Sequence, residues 1–145
     1  MSPITRLAAL VIILLPMTAV SERPRIEGRW LNGDGDGWIE ITITDDSLTG
    51  RIVGSPNDRP GDAPRHDDLN PDPALRSRPL RGLIIMSGFT YDSDGRWVGG
   101  RVYDPNSGNT YKGTIRQVDA NTLELRGYVG ISLFGRTETW KRNDE

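Results

Sequence analysis

Short runs of alternating apolar and polar residues, separated by Gly, Asp and Asn, fill the chain from Arg25 onward. A period of two residues is typical of antiparallel strands that bury one face, and no stretch of about ten residues shows a helical period. The alternation predicts about eight strands, which we place near residues 26–31, 37–43, 47–53, 82–91, 96–104, 109–118, 121–129 and 134–142.

The connections between most of these strands are short and contain residues that tolerate positive φ. Residues 33–37 (GDGDG), 92–95 (DSDG) and 119–121 (DAN) are examples, and such residues favour tight hairpin turns. An open sheet leaves two edges exposed to aggregation, whereas a closed sheet leaves none. The sequence therefore predicts an all-β fold, a small up-and-down antiparallel β-barrel of about eight strands.

Glycines occur inside three of the predicted strands, within residues 99–103, 111–113 and 127–130. Glycine weakens a flat strand but suits one that bends sharply. We interpret these glycines as points of curvature around a small barrel. The alternative is that they allow a ligand to approach the backbone closely.

The first residues have a different pattern. Arg6 precedes an apolar run of 14 residues (7–20), and residues 19–21 (AVS) fit the small-x-small site of a signal peptidase. A helix that spans a bilayer needs about 20 residues, so we expect no transmembrane anchor. The pattern predicts a signal peptide over residues 1–21, a single barrel domain over residues 22–145, and a periplasmic location.

Charge and composition argue against several function classes. Without the predicted signal peptide, the chain carries 17 basic and 20 acidic residues, a net charge of −3 that does not indicate binding to nucleic acid. With one histidine, His66, and no cysteine, the chain lacks the usual residues of a nucleophilic triad or a zinc site. We expect no catalytic residue, metal site or cofactor. A glycosidase-type pair of carboxylates from different strands stays open, because sequence does not give their separation.

The segment Asn32-x-Asp34-x-Asp36-Gly37 resembles the start of a calcium-binding loop. The position that would supply the bidentate glutamate of such a loop is Ile43. Aspartate and glycine are also typical of tight turns, so a hairpin turn is the favoured interpretation.

Residues 54–81 form a long insertion with six of the chain's ten prolines, five aspartates and five arginines. A connection of this length is a lid, an interaction surface or a tether, and its prolines argue against free flexibility. Asp72 is placed to cap a helical turn that begins at Pro73. We expect this turn to be packed on the barrel rim by three leucines, Leu69, Leu75 and Leu80.

The acidic residues of this 54–81 loop come early, and its last three arginines come late. One interpretation, which we favour, is that the two halves neutralise each other in surface ion pairs of about 0–1 kcal/mol each. The other is that the late arginines bind an anionic ligand at the barrel mouth, because guanidinium groups suit carboxylates and phosphates. The candidate ligand-binding residues of the loop are Asn70, Asp72, Arg76 and Arg78.

Residues 101–103 (RVY) and 126–128 (RGY) each place an arginine and a tyrosine on one face of a strand. Leu125 has the opposite parity to Arg126 and Tyr128, so a core filled by the leucine directs this arginine and tyrosine outward. If they point inward instead, Arg126 and Tyr128 are candidate ligand-binding residues.

Two connections are further candidates for a functional surface. The polar turn between Tyr103 and Tyr111 is framed by two tyrosines and is a candidate rim of a binding site. Residues 129–134 (VGISLF) form an unusually apolar connection that must be covered. We favour the interpretation that these residues plug one barrel end. Packing under the 54–81 loop and contact with a partner are the alternatives.

Several segments resemble known families. Gly28-x-Trp30 and the arginines beside Trp140 resemble the lipocalin and fatty-acid-binding superfamily, in which a Gly-x-Trp packs under an arginine from the last strand. Residues 126–128 are similar to the Arg-x-Tyr with which fatty-acid-binding barrels hold a carboxylate. The segments GRW, GWIEI, LTGRIV, NPDPALRSRPLRGL, GGRVYDPNSGNTYKG and LRGYVGISLFGRTETWKR resemble the bacterial secreted family called domain of unknown function 2147. This resemblance implies a periplasmic protein with a lipocalin-like barrel and no assigned activity.

Two functions fit these observations. The first is a non-enzymatic periplasmic binding protein whose barrel accepts a small apolar or amphipathic ligand, lipid-like or anionic, at one end. The second is an interaction module with a packed barrel, in which the 54–81 loop and the 129–134 turn contact an envelope protein. We favour the first on analogy with the superfamily.

Overall fold

The computed structural model describes residues 25–130 and 135–143, and it confirms the predicted barrel. Eight antiparallel strands hydrogen-bond in chain order, and the last pairs with the first to close the sheet. The strands are β1 (Gly28–Leu31), β2 (Trp38–Thr44), β3 (Ser47–Gly54), β4 (Ile84–Tyr91), β5 (Arg96–Asp104), β6 (Asn109–Asp119), β7 (Thr122–Tyr128) and β8 (Arg136–Arg142).

Two predicted features lie wholly or partly outside the described residues. The signal peptide over residues 1–21 is one, and residues 131–134 of the apolar connection are the other. Within residues 25–130 and 135–143, no helix has the length and apolar character needed to cross a bilayer.

Successive strands run in opposite directions, so their connections lie alternately at two ends of the barrel. The short turns after β2, β4 and β6 share one end with residues 25–27, and we call it the closed end. The turn after β1, the 54–81 loop, the turn after β5 and the connection after β7 share the other end, which we call the open end.

Phe89 of β4 packs in the barrel core against β5 and β6. Its side chain is fully buried, and a Cβ placed on Gly100 or Gly113 would lie 2.2 or 2.8 Å from its ring. No larger residue fits at these two positions in a close-packed core. Gly100 and Gly113 therefore make room for a core side chain, a role that the sequence does not predict. The predicted curvature applies to β5, where Gly99 has a φ of 77° and the register shifts between Trp97 and Gly100.

Trp30 lies at the closed end of the barrel, beneath Arg142. The guanidinium carbon of Arg142 lies 4.2 Å from the centre of the indole ring. Its N–H groups donate to the backbone carbonyls of Arg25, Glu27 and Ala120, so one side chain joins β8, the start of the barrel and the β6–β7 turn. The contact expected from the Gly-x-Trp resemblance is confirmed.

The 54–81 loop contains one turn of 3-10 helix, Pro73–Leu75. Asp72 caps it as predicted, because its Oδ1 accepts a hydrogen bond of 3.0 Å from the N–H of Ala74. Proline at the first helical position has no N–H that would need a partner there.

Leucines contribute less to the seating of this loop than the sequence predicts. Leu80 packs against the core, but Leu69 and Leu75 are 57% and 38% exposed. The expectation that all three leucines hold the loop on the rim was therefore wrong. The backbone of the loop lies directly on the β5–β6 turn, since a Cβ placed on Gly108 would lie 2.1 Å from the carbonyl oxygen of Leu69.

Candidate ligand cavity

A cavity of about 210 Å³ lies at the open end, between the strand ends and the 54–81 loop. Its floor is formed by apolar side chains from six strands: Ile39, Ile52, Ile85, Val102, Leu125 and Trp140. Its rim is mainly polar and includes Asn32, Asp34, Asp36, Arg65, Tyr103, Asp104, Asn106, Tyr111, Arg136 and Glu138.

The volume limits what the cavity can hold. An engineered apolar cavity of about 150 Å³ is sufficient for benzene, whereas pockets for drug-sized ligands start at about 300 Å³. A cavity of about 210 Å³ therefore accommodates a compact group, about the size of one substituted ring. A longer molecule would extend past the rim into solvent.

Strand alternation produces both the floor and part of the rim. On β8, Trp140 is buried in the core, so Glu138 and Arg136 share its inward face and approach the open end in that order. On β7, Leu123 lies deeper in the barrel and Leu125 reaches the cavity. The inward faces of these two strands therefore supply apolar side chains to the cavity floor and, on β8, charged side chains to its rim.

The calcium-like segment forms one side of the rim as a hydrogen-bonded turn, which is the interpretation favoured from sequence. The Oδ1 of Asn32 accepts 3.0 Å hydrogen bonds from the N–H groups of Asp36 and Gly37. Asn106 then donates to Asp36 at 3.2 Å, which ties this turn to the β5–β6 turn. Among the described residues, no group of three or more His, Cys, Asp and Glu side chains is placed to hold a metal ion.

A hydrogen-bonded cluster attaches the loop to the barrel beside the cavity. The carboxylate of Asp67 is fully buried and accepts hydrogen bonds from Tyr103 at 2.5 Å, and from Asn70 and Arg78 at 2.8 Å each. Arg78 also lies over the Tyr103 ring, 5.7 Å from its centre. Tyr103 belongs to β5 and the other three residues belong to the loop, so these four residues, the Asp67 cluster, fix the loop in place.

The cluster shifts the ionisation of two of its members. Burial by itself would raise the pKa of Asp67, but the hydrogen bonds from Tyr103, Asn70 and Arg78 outweigh burial and hold the pKa below its ordinary value. Burial, together with the hydrogen bond to the Asp67 carboxylate, raises the pKa of Tyr103. Both shifts favour an ionised Asp67 beside a neutral Tyr103.

The two halves of the loop neutralise each other, as the favoured sequence interpretation predicts, although Asp67 is buried and its pair is not a surface ion pair. Arg78 pairs with Asp67 at 2.8 Å, and Arg81 pairs with Asp58 at 2.8 Å. Arg65 lies 3.8 Å from the same Asp58. These pairs leave less guanidinium charge free for an anionic ligand than the sequence alone suggests.

The structure separates the predicted ligand-binding residues into three groups: those that line the cavity, those of the 54–81 loop, and those on the outer face of the barrel. Tyr103 and Tyr111 line the cavity. Asn70 and Arg78 lie beside it, in the Asp67 cluster.

The remaining two loop candidates lie further out. Arg76 is exposed and donates to the backbone carbonyl of Asn70 at 2.8 Å, and Asp72 caps the 3-10 turn. Neither is among the described residues that line the cavity, so a ligand bound there does not reach them directly.

Arg126 and Tyr128 form the third group, on the outer face of the barrel. Leu125 is buried, and Arg126 donates to the hydroxyl of Thr137 at 3.0 Å on the outer face of β8. The inward alternative for this arginine and tyrosine is therefore wrong, since both have the parity opposite to Leu125. Arg101 is also exposed.

Sequence reasoning missed Glu138, Arg136 and Asp67. The parity of β8 could have identified the first two, because an inward Trp140 directs every second residue of that strand into the barrel. Asp67 gave no comparable signal, since it stands beside Asp68 in a polar loop and its partner Tyr103 is 36 residues away. Gly127, interpreted as a point of curvature, lines the cavity.

A second hollow of about 500 Å³ lies under the first half of the loop. Most of its lining residues are exposed loop residues, and His66 is one of them. Ile52 belongs to the buried core and lines both spaces. The cavity at the open end has the larger share of core side chains, which makes it the better candidate for a ligand site.

Comparison with protein families gives a match over residues 28–142 to the family described as "Uncharacterized protein conserved in bacteria (DUF2147)". The chain belongs to this family. Among solved structures, it is similar to one titled "Protein HP1028 from the human pathogen Helicobacter pylori belongs to the lipocalin family", with 25% identity and a TM-score of 0.67. The match covers 75% of this chain and 73% of that one. Comparison with curated proteins gives no match.

Proposed function

We propose that this protein is a periplasmic, non-enzymatic binding protein that holds one small amphipathic ligand in the cavity at the open end. The observation that carries the proposal is the apolar floor beneath a polar rim, in one half of a barrel whose other half is filled. A concave apolar pocket with a few converging polar groups is typical of small-molecule sites. Small eight-stranded barrels have room for one such ligand.

The cavity also defines how the ligand lies. Its apolar part contacts Leu125 and Trp140 at the floor, where removal of apolar surface from water stabilises the complex by about 25 cal/mol per Å². Its polar part lies beside Tyr111 and Glu138 at the rim. The Asp67 cluster contributes indirectly, because it fixes Tyr103 and the loop above the site.

Two further parts of the proposal rest on the sequence. The periplasmic location follows from the predicted signal peptide, and the bacterial family is compatible with it. The proposal that the protein is not an enzyme rests on its composition, since the chain has one histidine and no cysteine.

The proposal is tested by filling the cavity. Gly127 lines it, and a Cβ at this position would lie at an ordinary contact distance of 3.5 Å from Tyr111. Gly127→Val should therefore fold and occupy ligand space. Thr139→Val, on the exposed outer face of β8, is the control because it introduces a valine outside the cavity.

The readout is binding of the single-ring probe 2-phenylethanol, followed by tryptophan fluorescence, because Trp140 lies in the cavity floor. The wild type and Thr139→Val should bind the probe equally, and Gly127→Val should bind it at least about tenfold more weakly. Mass spectrometry under native conditions should also detect a co-purifying small molecule in the wild type. Equal binding by both variants, or no binding and no co-purifying molecule, would refute the proposal.

A contact surface for an envelope protein is the second candidate function. It is favoured by the exposure of Leu69 and Leu75 on the loop and of Val129 at the same end of the barrel. Polar substitutions at these three residues should weaken association with an envelope protein and leave probe binding unchanged.

A further inference from the structure

The residues that line the cavity carry more negative than positive charge, whereas the arginines of the 54–81 loop suggest a site for an anion. The described lining residues include two guanidinium groups, Arg65 and Arg136, and four carboxylates, Asp34, Asp36, Asp104 and Glu138, which gives a net charge of −2. Arg65 lies 3.8 Å from Asp58, outside the cavity. The field at the mouth therefore favours a cation over an anion.

Two of the four carboxylates, Asp36 and Asp104, already accept hydrogen bonds from neighbouring residues of the rim. Asp36 accepts hydrogen bonds from the side-chain amides of Asn32 and Asn106. Asp104 accepts from the N–H of Asn106 and from the hydroxyl of Ser107. These groups build the two turns and contribute to the field, but their oxygens are engaged.

Glu138 differs from the rim aspartates because it stands on a strand and faces the apolar floor. Its Oε2 accepts a 3.2 Å hydrogen bond from the indole N–H of Trp140. Within the described part of the chain, Oε1 has no hydrogen-bond donor and the carboxylate has no cation within 4.0 Å. A partly buried carboxylate with one free oxygen is well placed to accept a hydrogen bond from a ligand.

Aromatic rings complete the environment of this carboxylate. Trp140 and Tyr111 line the same cavity as Glu138. Cations are attracted to the faces of such rings, and the attraction grows as water is removed from the site. A cavity lined by a carboxylate and two aromatic side chains suits an ammonium group better than a neutral hydroxyl or a carboxylate.

We propose that the ligand of this cavity is an amine: a compact apolar group of about one ring that carries a single ammonium group. The apolar group occupies the floor at Leu125 and Trp140, and the ammonium donates to the free oxygen of Glu138. The proposal rests on the binding function proposed above and specifies the chemical class of the ligand.

Three matched probes test the charge preference: 2-phenylethylamine, 2-phenylethanol and 3-phenylpropionate, titrated by NMR into the wild-type protein at neutral pH and low salt. The amine should bind at least about tenfold more tightly than the alcohol, the gain expected from one hydrogen bond between charged groups. The carboxylate should bind most weakly. Added salt should weaken amine binding and leave alcohol binding unchanged.

Glu138→Gln tests the residue assignment, with Glu124→Gln on the outward-facing parity of β7 as the matched control. Glu138→Gln should remove the tenfold preference for the amine over the alcohol. An NMR spectrum as dispersed as that of the wild type shows that the variant is folded. Glu124→Gln should preserve the tenfold preference.

The outcomes distinguish the two proposals. If the alcohol or the carboxylate binds as tightly as the amine, the amine proposal is wrong and the binding function stands. If the amine preference survives in Glu138→Gln, the preference does not come from this residue and the assignment is overturned. If no probe binds and no molecule co-purifies with the wild type, the binding function fails and the amine proposal fails with it.

Discussion

The two halves of this barrel use the same strands in different ways. In the closed half, Phe89 fills the space left by Gly100 and Gly113, and Trp30 is covered by Arg142. In the open half, the strands end around a cavity, and polar contacts rather than packed leucines hold the covering loop. The comparison shows that the closely packed core and the proposed ligand site are separated along the barrel axis. One half has the close packing of a core, and the other keeps space and charge.

The largest expected difference is in the free energy of unfolding, when one leucine in each half of β7 is replaced by alanine. Leu123→Ala removes a fully buried side chain in the closed half and should lower the free energy of unfolding by about 3–5 kcal/mol. Leu125→Ala enlarges an existing cavity, where the leucine has fewer packing partners, and should cost about 2 kcal/mol. Urea unfolding of the two variants measures both values. Equal costs would show that the open half is packed as tightly as the closed half.

The next largest effect concerns the polar attachment of the loop. Asp67→Asn keeps the size of the side chain but removes the charge that Arg78 and Tyr103 contact. It should destabilise the attachment of the 54–81 loop to the barrel by about 1–3 kcal/mol. Amide hydrogen exchange should become faster in the loop, for example at Leu80, whose N–H donates to Arg65. Asp68→Asn, at the exposed neighbouring residue, is the control and should change nothing.

Exchange in the barrel strands should stay slow in both variants. If Asp67→Asn accelerates exchange in β2 and β3 as much as in the loop, the loop is part of the barrel's cooperative unit and the proposed separation of the halves is wrong.

Lowering the pH should have a smaller effect on the attachment of the loop, and this effect should increase gradually. The pKa of Asp67 is lowered in the folded protein, so its contribution is fully present above the unfolded value of about 3.9 and is lost as pH falls through the folded value. Below about pH 4, before the barrel unfolds, the protection of the loop amides should therefore fall, once the rates are corrected for the intrinsic slowing of exchange in acid. The exposed Asp119 also has a lowered pKa, because its carboxylate accepts from the N–H of Asn121.

The Asp67→Asn variant separates these two groups. Its loop should already exchange fast at neutral pH and should show no further acid step. An acid step of the same size in this variant would assign the transition to another carboxylate.

The smallest expected effect is on the outer face. Arg126→Ala removes an exposed hydrogen bond to Thr137 and should change the free energy of unfolding by less than about 0.5 kcal/mol. Probe binding should stay unchanged, because Arg126 is not among the described cavity residues. A loss of affinity for 3-phenylpropionate in this variant would restore the ligand role that the resemblance to fatty-acid-binding barrels suggests.

The sequence predicts the barrel well because each strand carries its own local signals. Alternation gives eight strands close to their observed bounds, and Asp72 before Pro73 gives the helical turn in the loop. The contact between Trp30 and an arginine of β8 also follows from sequence, through the family resemblance.

The site is predicted less well because it depends on contacts between distant residues. Arg78 looks available to a ligand until Asp67 and Tyr103, which come from two separate segments, are seen to surround it. Gly100 and Gly113 look like bends until Phe89 from a third strand is seen between them. Glu138 shares a face of β8 with Trp140, and the sequence does not show that this face ends at a cavity.

The seam between β1 and β8 has a consequence for folding. Trp30 pairs with Arg142, and the guanidinium of Arg142 reaches the carbonyl of Arg25, 117 residues earlier in the sequence. Contacts between such distant residues carry a large loop-closure entropy and form late. Until β8 is available, β1 and β7 both present unpaired edges. Association between chains is therefore most favoured in the interval before β8 pairs with β1.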